Sequence, residues 1–261
     1  MAAFDIAACV ALMDDLTAIA TRAAAAIQEW GASSLRHKAD GSPVTAADEA
    51  SEAIIFQGLE NIAPGIPIVS EERSEAETSG GKGPIYFLVD PLDGTREFIA
   101  GRGAFTVNIA LIDAGAPRVG IIAAPASDMI WRGIVGRGAE RVALRGNGKP
   151  TPIRTRTPPS QPVVMVSRSH LDSRTKAYLA GVPQGLPVAC GSSLKFCRVA
   201  EGSADLYPRL APTRDWDVAA GHAIVVAAGG DIRTAEGSAL AYGMAERLIP
   251  DFIVRGDPTT R

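Results

Sequence analysis

Cysteine is scarce in this chain. The three present, Cys9, Cys190 and Cys197, show no CxxC-type spacing. That excludes a thiolate zinc site and a dithiol redox motif, and the odd number excludes a fully paired disulfide framework. Reduced, mostly buried thiols in a cytosolic protein are expected, with peripheral contact at a membrane surface still compatible. A basic excess is also missing. Lys and Arg number 26 against 29 Asp and Glu, a net charge of -3, which argues against general nucleic-acid affinity. No apolar run reaches membrane-spanning length. The apolar N-terminal stretch has no basic n-region and is broken by Asp5, Asp14 and Asp15, so it is not expected to be a signal peptide. Internal repeats and low-complexity segments are absent.

What is there is a chain of 261 residues, long enough for one large domain or two modest ones. Apolar positions at helical spacing run from about residue 4 to 30, with Gly31 as a stop signal. A second helix is predicted over 45–61 and a short strand over 66–70, and the Gly-rich stretch 78–83 is expected to be mobile. Strands near 85–89, 105–112, 118–122, 130–135 and 141–144, joined by short Gly- and Pro-marked connections, read as an antiparallel meander. Prolines concentrate in 150–162, read as a crossover between two halves, about 1–150 and 151–261, of a single domain. The second half alternates strand 163–167, helix 173–181, strand 186–189, helix 192–201, strand 204–207, helix 216–228 and strand 252–255. Stacked layers of helix and sheet follow, so the class is α/β or α+β.

Four acidic clusters carry the chemistry. Asp90-Pro91-Leu92-Asp93-Gly94-Thr95 follows the apolar run Ile85-Tyr86-Phe87-Leu88-Val89. Two carboxylates emerge where that strand is expected to stop at Pro91, and Gly94 lets the chain turn into a short helix at Thr95. Hard oxygen ligands then surround one point beside free backbone N–H groups, as a Mg²⁺-dependent phosphate site requires. The plainer reading has Asp93 only capping that helix. Ser70-Glu71-Glu72 ends a short strand, where adjacent acids are most often solvated. Asp217 sits in the first turn predicted for the helix at Trp216, where the macrodipole alone favours an acid. Thr45 with Asp48 three residues on has the form of a capping box with Asp in place of Glu. Lys195 and Arg209 read in isolation as surface charge. The run Arg132, Arg137, Arg141, Arg145, Lys149, Arg154, Arg156 reads as the wet side of antiparallel strands rather than a polyanion patch. His37 and His222 are expected to serve packing or solvent contacts.

Taken together the clusters are far more specific. Asp90-Pro91-Leu92-Asp93-Gly94-Thr95 and Trp216-Asp217-Val218-Ala219-Ala220-Gly221 resemble the two long motifs of the inositol monophosphatase-like family of Mg²⁺-dependent, lithium-sensitive phosphatases. Ser70-Glu71-Glu72 lies about twenty residues ahead of the first motif, and Val44-Thr45-Ala46-Ala47-Asp48 matches the N-terminal one. The resemblance spans nearly the whole chain and implies a layered αβαβα sandwich with two or three Mg²⁺, Mn²⁺ being a possible substitute. It implies Glu71, Asp90 and the Leu92 carbonyl at a first ion, and Asp90, Asp93 and Asp217 at a second. It also implies Thr95, hydrogen-bonded to Asp48, activating the attacking water, with Glu72 assisting from behind.

Within the family the second half resembles the bisphosphate nucleotidases. The residues are Ser167-Arg168-Ser169-His170, Gly191-Ser192-Ser193-Leu194-Lys195-Phe196-Cys197 and Ala204-Asp205-Leu206-Tyr207-Pro208-Arg209-Leu210. The substrate implied is adenosine 3',5'-bisphosphate, yielding AMP and phosphate in sulfur assimilation. By that resemblance Lys195 and Arg209 take the 5'-phosphate, the latter as a bidentate fork. Ser192 and His170 hydrogen-bond the ribose or phosphate. The Gly94 and Thr95 amides grip the scissile phosphate, and Asp217 also faces the substrate. An inositol or other sugar phosphatase is the nearest alternative, and a non-catalytic phosphate-binding protein the alternative of another class. The intact set Glu71, Asp90, Asp93, Thr95 and Asp217 argues against the latter.

Overall fold

The computed structural model describes residues 5–30, 35–37, 43–73, 83–146, 148–168, 172–182, 184–244, 246–257 and 259. In chain order the elements are α1 (Ile6–Trp30), β1 (Arg36–His37), β2 (Pro43–Val44), α2 (Ala46–Ile62), β3 (Ile68–Ser70), β4 (Ile85–Asp93), α3 (Thr95–Ile99), β5 (Thr106–Asp113), β6 (Ala116–Ala124), β7 (Met129–Ile134), β8 (Gly138–Ala143) and β9 (Thr151–Ile153). The second half adds β10 (Val163–Ser167), α4 (Ser173–Ala180), β11 (Leu186–Cys190), α5 (Leu194–Ala200), β12 (Leu206–Arg209), β13 (Thr213–Arg214), α6 (Asp215–Ala227), β14 (Asp231–Thr234), β15 (Leu248–Ile249) and β16 (Phe252–Arg255).

Seven strands form the first sheet in the order β3-β4-β5-β6-β7-β8-β9. The expected meander is there from β4 to β9, with β3 added in parallel to β4. Both faces of this sheet are covered, which is why its strands read as continuous apolar runs rather than alternating ones. Ile85, Phe87 and Val89 of β4 pack with Leu16, Ile19 and Ile27 of α1 and Ile55 and Leu59 of α2. Tyr86 and Leu88, one residue out of phase, face the other way toward Val218, Ala219 and Ile224 of α6. A second sheet, β11-β10-β12-β16-β14, closes over α5 and α6, and α4 lies against β12 on its far side. The layers are therefore helix, sheet, helix, sheet, helix, a mixed α/β sandwich.

Several sequence expectations need correcting. Strand β4 does not stop at Val89 but runs on through Asp93. Asp90 pairs with Asn108 and Asp93 with Thr106, so three steps on β4 oppose two on β5. The extra residue is a β-bulge, and it absorbs Pro91, which has no N–H to give the ladder. The stretch 150–162 is not only a crossover, because β9 within it pairs with β8. Four short strands, β1, β2, β13 and β15, and the longer β14 carried no visible signal. Arg132 is not on a wet face: it lies under α1, 2.7 Å from Glu140 and 3.2 Å from Asp14. Most of the Gly-rich stretch 78–83, Gly31, His170 and the side chain of His37 lie outside the described residues. Cys9, Cys190 and Cys197 are free, the first and last of them buried.

His222 on α6 does pack, as expected, with Nδ1 2.9 Å from the Tyr242 hydroxyl. Burial pushes its pKa down to about 4. A depressed histidine contributes stability that is present above its unfolded pKa near 6.5 and lost as pH falls toward the folded value. His222→Gln should therefore lose less stability than the parent between pH 6.5 and 4.5. The difference, read by urea unfolding at each pH, should be about 1–2 kcal/mol; parallel profiles would contradict the assignment.

Candidate active site

The acidic residues meet because chain ends of separate elements meet. Glu71 follows β3, Asp90 and Asp93 occupy the bulge of β4, Thr95 opens α3, and Asp217 lies in the first turn of α6. Ser192 and Lys195 come from the turn after β11 and from α5, and Arg209 ends β12. With Leu92 and Gly94, all of these line one cavity of about 270 Å³. Asp48 sits behind Thr95 rather than on the cavity wall. Of the sequence-derived candidates, only His170 lies outside the described residues.

One oxygen from each of Glu71, Asp90 and Asp217 falls within 4.8 Å of the others. Asp90 is 1% exposed. Its Oδ1 accepts the Leu92 N–H at 3.1 Å, while its Oδ2 is buried with no hydrogen-bond partner. Burial, then repulsion from Glu71, Asp93, Asp217 and Glu72, holds its pKa well above the ordinary carboxylate range. Burial and then Asp93 also raise the pKa of Asp217, against the Thr213 hydrogen bond. An unpartnered buried carboxylate oxygen among like charges is costly unless a cation is paired with it. The donors are all hard oxygens, which suit Mg²⁺, Mn²⁺ or Ca²⁺ rather than a thiolate-preferring metal. The residues therefore fit a metal ion.

Asp93 does not complete that cluster in the same way. Its Oδ2 accepts the Ser193 N–H at 2.6 Å and lies 2.7 Å from Ser193 Oγ. Ser193 Oγ is also 3.0 Å from the Asp217 carbonyl and accepts from Asn108 Nδ2 at 2.8 Å. Thr213 Oγ1 donates to Asp217 Oδ2, which also accepts the Arg214 N–H at 3.1 Å. Ser193, Asn108 and Thr213 thus aim the acids, and sequence reasoning gave none of them a role. Ser193 stood next to Ser192 in a quoted motif, but its partner Asp93 is a hundred residues away.

Asp48 of the N-terminal motif faces two threonines. Asp48 Oδ2 accepts from the Thr45 N–H at 2.8 Å and from Thr45 Oγ1 at 2.6 Å, the capping arrangement. Its Oδ1 faces Thr95 Oγ1 at 3.3 Å, and that hydroxyl also lies 3.1 Å from the Leu92 carbonyl. Burial raises the Asp48 pKa against the lowering effect of the Thr45 hydrogen bonds. Ser51 Oγ donates to the Pro91 carbonyl at 2.7 Å, which fastens α2 to the bulge. At Gly94, φ is 90°, and a Cβ there would lie 2.9 Å from the Ala104 carbonyl oxygen. That turn therefore requires glycine.

Cations line the same cavity. Lys195 is 4% exposed, donates from Nζ to the Ser192 carbonyl, and stands 5.2 Å from the Tyr207 ring centre. Burial lowers its pKa, and Asp93 pulls it back up. Arg209 is not an uncommitted fork: Nε donates to the Ala211 carbonyl at 3.3 Å and Nη2 to the Pro212 carbonyl at 3.2 Å. These two bonds hold its guanidinium in orientation. Arg96, on α3, lines the same cavity.

Comparison with known proteins agrees with this geometry. A model described as "Inositol monophosphatase family" matches residues 4–252. The chain is 45% identical over 219 residues to the 3'(2'),5'-bisphosphate nucleotidase CysQ of Shigella flexneri, covering 83% of this chain and 87% of that one. It is 33% identical over 224 residues to the histidinol-phosphatase of Mycobacterium tuberculosis, covering 82% and 83%. Among solved structures, CysQ from Bacteroides thetaiotaomicron superposes with a TM-score of 0.79 at 33% identity, over 93% of this chain and 97% of that one. An inositol monophosphatase from Anabaena gives 0.75 at 26% identity, over 95% and 91%.

Proposed function

The chain belongs to the inositol monophosphatase family, and from that premise we propose that it is a Mg²⁺-dependent 3'(2'),5'-bisphosphate nucleotidase. It releases the 3'-phosphate of adenosine 3',5'-bisphosphate to give AMP and inorganic phosphate, working as a single domain in the cytoplasm. The observation that carries the reading is one cavity lined by groups of both charges. Glu71, Asp90 and Asp217 converge in it, and Lys195 and Arg209 line it as well. Among the described residues no helix is long and apolar enough to cross a membrane.

Glu71, Asp90 and the Leu92 carbonyl would hold one Mg²⁺, and Asp90, Asp93 and Asp217 another. Bound there, the metal supplies charge neutralisation at the phosphoryl oxygens and a water acidic enough to attack. The rest falls to the protein. Thr95 points its hydroxyl proton toward Asp48 and so offers a lone pair to the attacking water. Asp48, more basic than an exposed aspartate because it is buried, is suited to hold the proton. The Gly94 and Thr95 amides orient the scissile phosphate. Arg209 and Lys195 take the 5'-phosphate, where charge-assisted hydrogen bonds are strongest.

Two features favour this substrate over those of the other relatives. Inositol 1-phosphate presents only neutral hydroxyls beyond its one phosphate and leaves Lys195 and Arg209 unanswered. Histidinol phosphate carries an amine, which Lys195, Arg209 and Arg96 would repel. Replacing Lys195 or Arg209 by Ala should therefore weaken adenosine 3',5'-bisphosphate about ten- to a hundredfold in KM, the loss of a charge-assisted hydrogen bond. Adenosine 3'-monophosphate, which has no second phosphate, should change far less. Equal losses on both substrates would contradict the assignment.

A further inference from the structure

The acids of the cavity come from the end of β3, from β4 and from α6, and its cations from α5 and β12; Glu97 lines the same cavity. Among the described residues β11 is an edge strand paired only with β10, and it is exposed along most of its length. The turn bearing Ser192, Ser193 and Lys195 leaves from its end. Ser193 holds that turn to the acids through Asp93, Asn108 and the Asp217 carbonyl. A further tether is ionic. Glu97 lies on α3, two residues after Thr95, and is 3% exposed. Its Oε2 accepts from Arg168 Nη1 at 3.0 Å, with Arg102 Nη1 at 3.6 Å. Arg168 follows β10 and grips the end of β11 twice: Nη2 donates to the Ala189 carbonyl at 3.3 Å and its backbone N–H to the Cys190 carbonyl at 3.2 Å. Gly191 is pressed against the same carboxyl-bearing side chain, since a Cβ there would lie 2.9 Å from Glu97 Cγ.

We propose that the Glu97–Arg168 ion pair is a specificity-setting strut. It fixes the spacing between the acids near α3 and the Ser192–Lys195 turn, and so favours a substrate whose two phosphates reach both the acids and Lys195. Neither residue acts on the reacting atoms; both are positioning residues. The inference rests on the bisphosphate reading above. A ligand that uses only the acids does not sense this spacing. A ligand that also reaches Lys195 does. The pair also has an electrostatic signature. Removing Arg168 leaves the buried Glu97 carboxylate less balanced beside an anionic substrate, whereas removing both groups does not.

The test measures kcat and KM for Glu97→Ala, Arg168→Ala and the double variant. Each is assayed on adenosine 3',5'-bisphosphate and on adenosine 3'-monophosphate in saturating Mg²⁺. The expected result is a rise of about tenfold in KM for the bisphosphate, a coupling of ordinary size for contacting residues. Turnover of the monophosphate should stay within about twofold, and the double variant should be no worse than Arg168→Ala. Parallel losses on both substrates, additive losses, or no change would overturn the strut. Should an alanine variant melt well below the parent, Glu97→Gln and Arg168→Lys repeat the comparison with the same criteria at smaller amplitude. The parent enzyme separates the two levels of the argument. A parent that prefers the bisphosphate with variants unaltered overturns the strut alone, and a parent that ignores the bisphosphate overturns the substrate reading and the strut with it.

Discussion

Asp90→Asn should lower turnover by about a thousandfold or more and yet raise the melting temperature of the metal-free protein by a few degrees. Both effects follow from one position. Asp90 Oδ2 is buried without a partner and crowded by Glu71, Asp93 and Asp217. An asparagine keeps the Oδ1 that accepts the Leu92 N–H and removes a charge that the fold does not balance. Its amide can donate to the remaining carboxylates. The gain should be larger at pH 8 than at pH 5. A carboxyl whose folded pKa is raised binds its proton more tightly than in the unfolded chain, so the stability tied to it is lost as pH rises through the folded value. In excess Mg²⁺ the order of melting temperatures should reverse, because only the parent binds the ion with full charge. An Asp90→Asn variant that melts lower than the parent in EDTA would show that Asp90 is structural rather than a ligand.

Gly120→Ala is expected to be the most damaging single change outside the site, costing about 3 kcal/mol or more. A Cβ at residue 120 would lie 2.2 Å from the Ala220 carbonyl oxygen and 3.0 Å from Ala223 Cβ. The nearest obstacle is the α6 backbone at Ala220, so no rotamer change relieves it. The melting temperature should fall by roughly 5–10 °C. Helix α6 must lift off the sheet, and Asp217 is in its first turn, so the Mg²⁺ concentration for half-maximal activity should rise as well. A variant with parental melting and parental Mg²⁺ dependence would contradict the packing described for this layer.

The acids were legible because their spacing is bound to local chemistry. Asp90 and Asp93 flank a proline that disturbs the ladder, and Asp48 stands where a capping box puts it. The metal cluster then needed only the resemblance to join three distant stretches. What fixes the acids in place was not legible. Ser193 reaches Asp93 across a hundred residues, and Thr213 reaches Asp217 across a helix boundary. A serine or threonine in a turn has no sequence mark that separates an aimed hydroxyl from a solvated one. Strand β4 outlasted its expected end because a bulge accommodates Pro91, which hydrophobic pattern alone does not reveal. Strands of two to four residues such as β13, β14 and β15 are too short to show a period. Arg132 was misplaced because α1 covers the face of β7 on which a charge looked exposed.

The central claim is that this cavity removes the 3'-phosphate of a bisphosphate nucleotide with a divalent cation held by Glu71, Asp90, Asp93 and Asp217. The direct measurement is kcat/KM for adenosine 3',5'-bisphosphate, inositol 1-phosphate and histidinol phosphate in parallel, each in Mg²⁺ and in excess EDTA. The account predicts a clear preference for the bisphosphate in Mg²⁺, AMP and phosphate as its products, and loss of all turnover in EDTA. A preference for either of the other two phosphates, or full activity in EDTA, would contradict it.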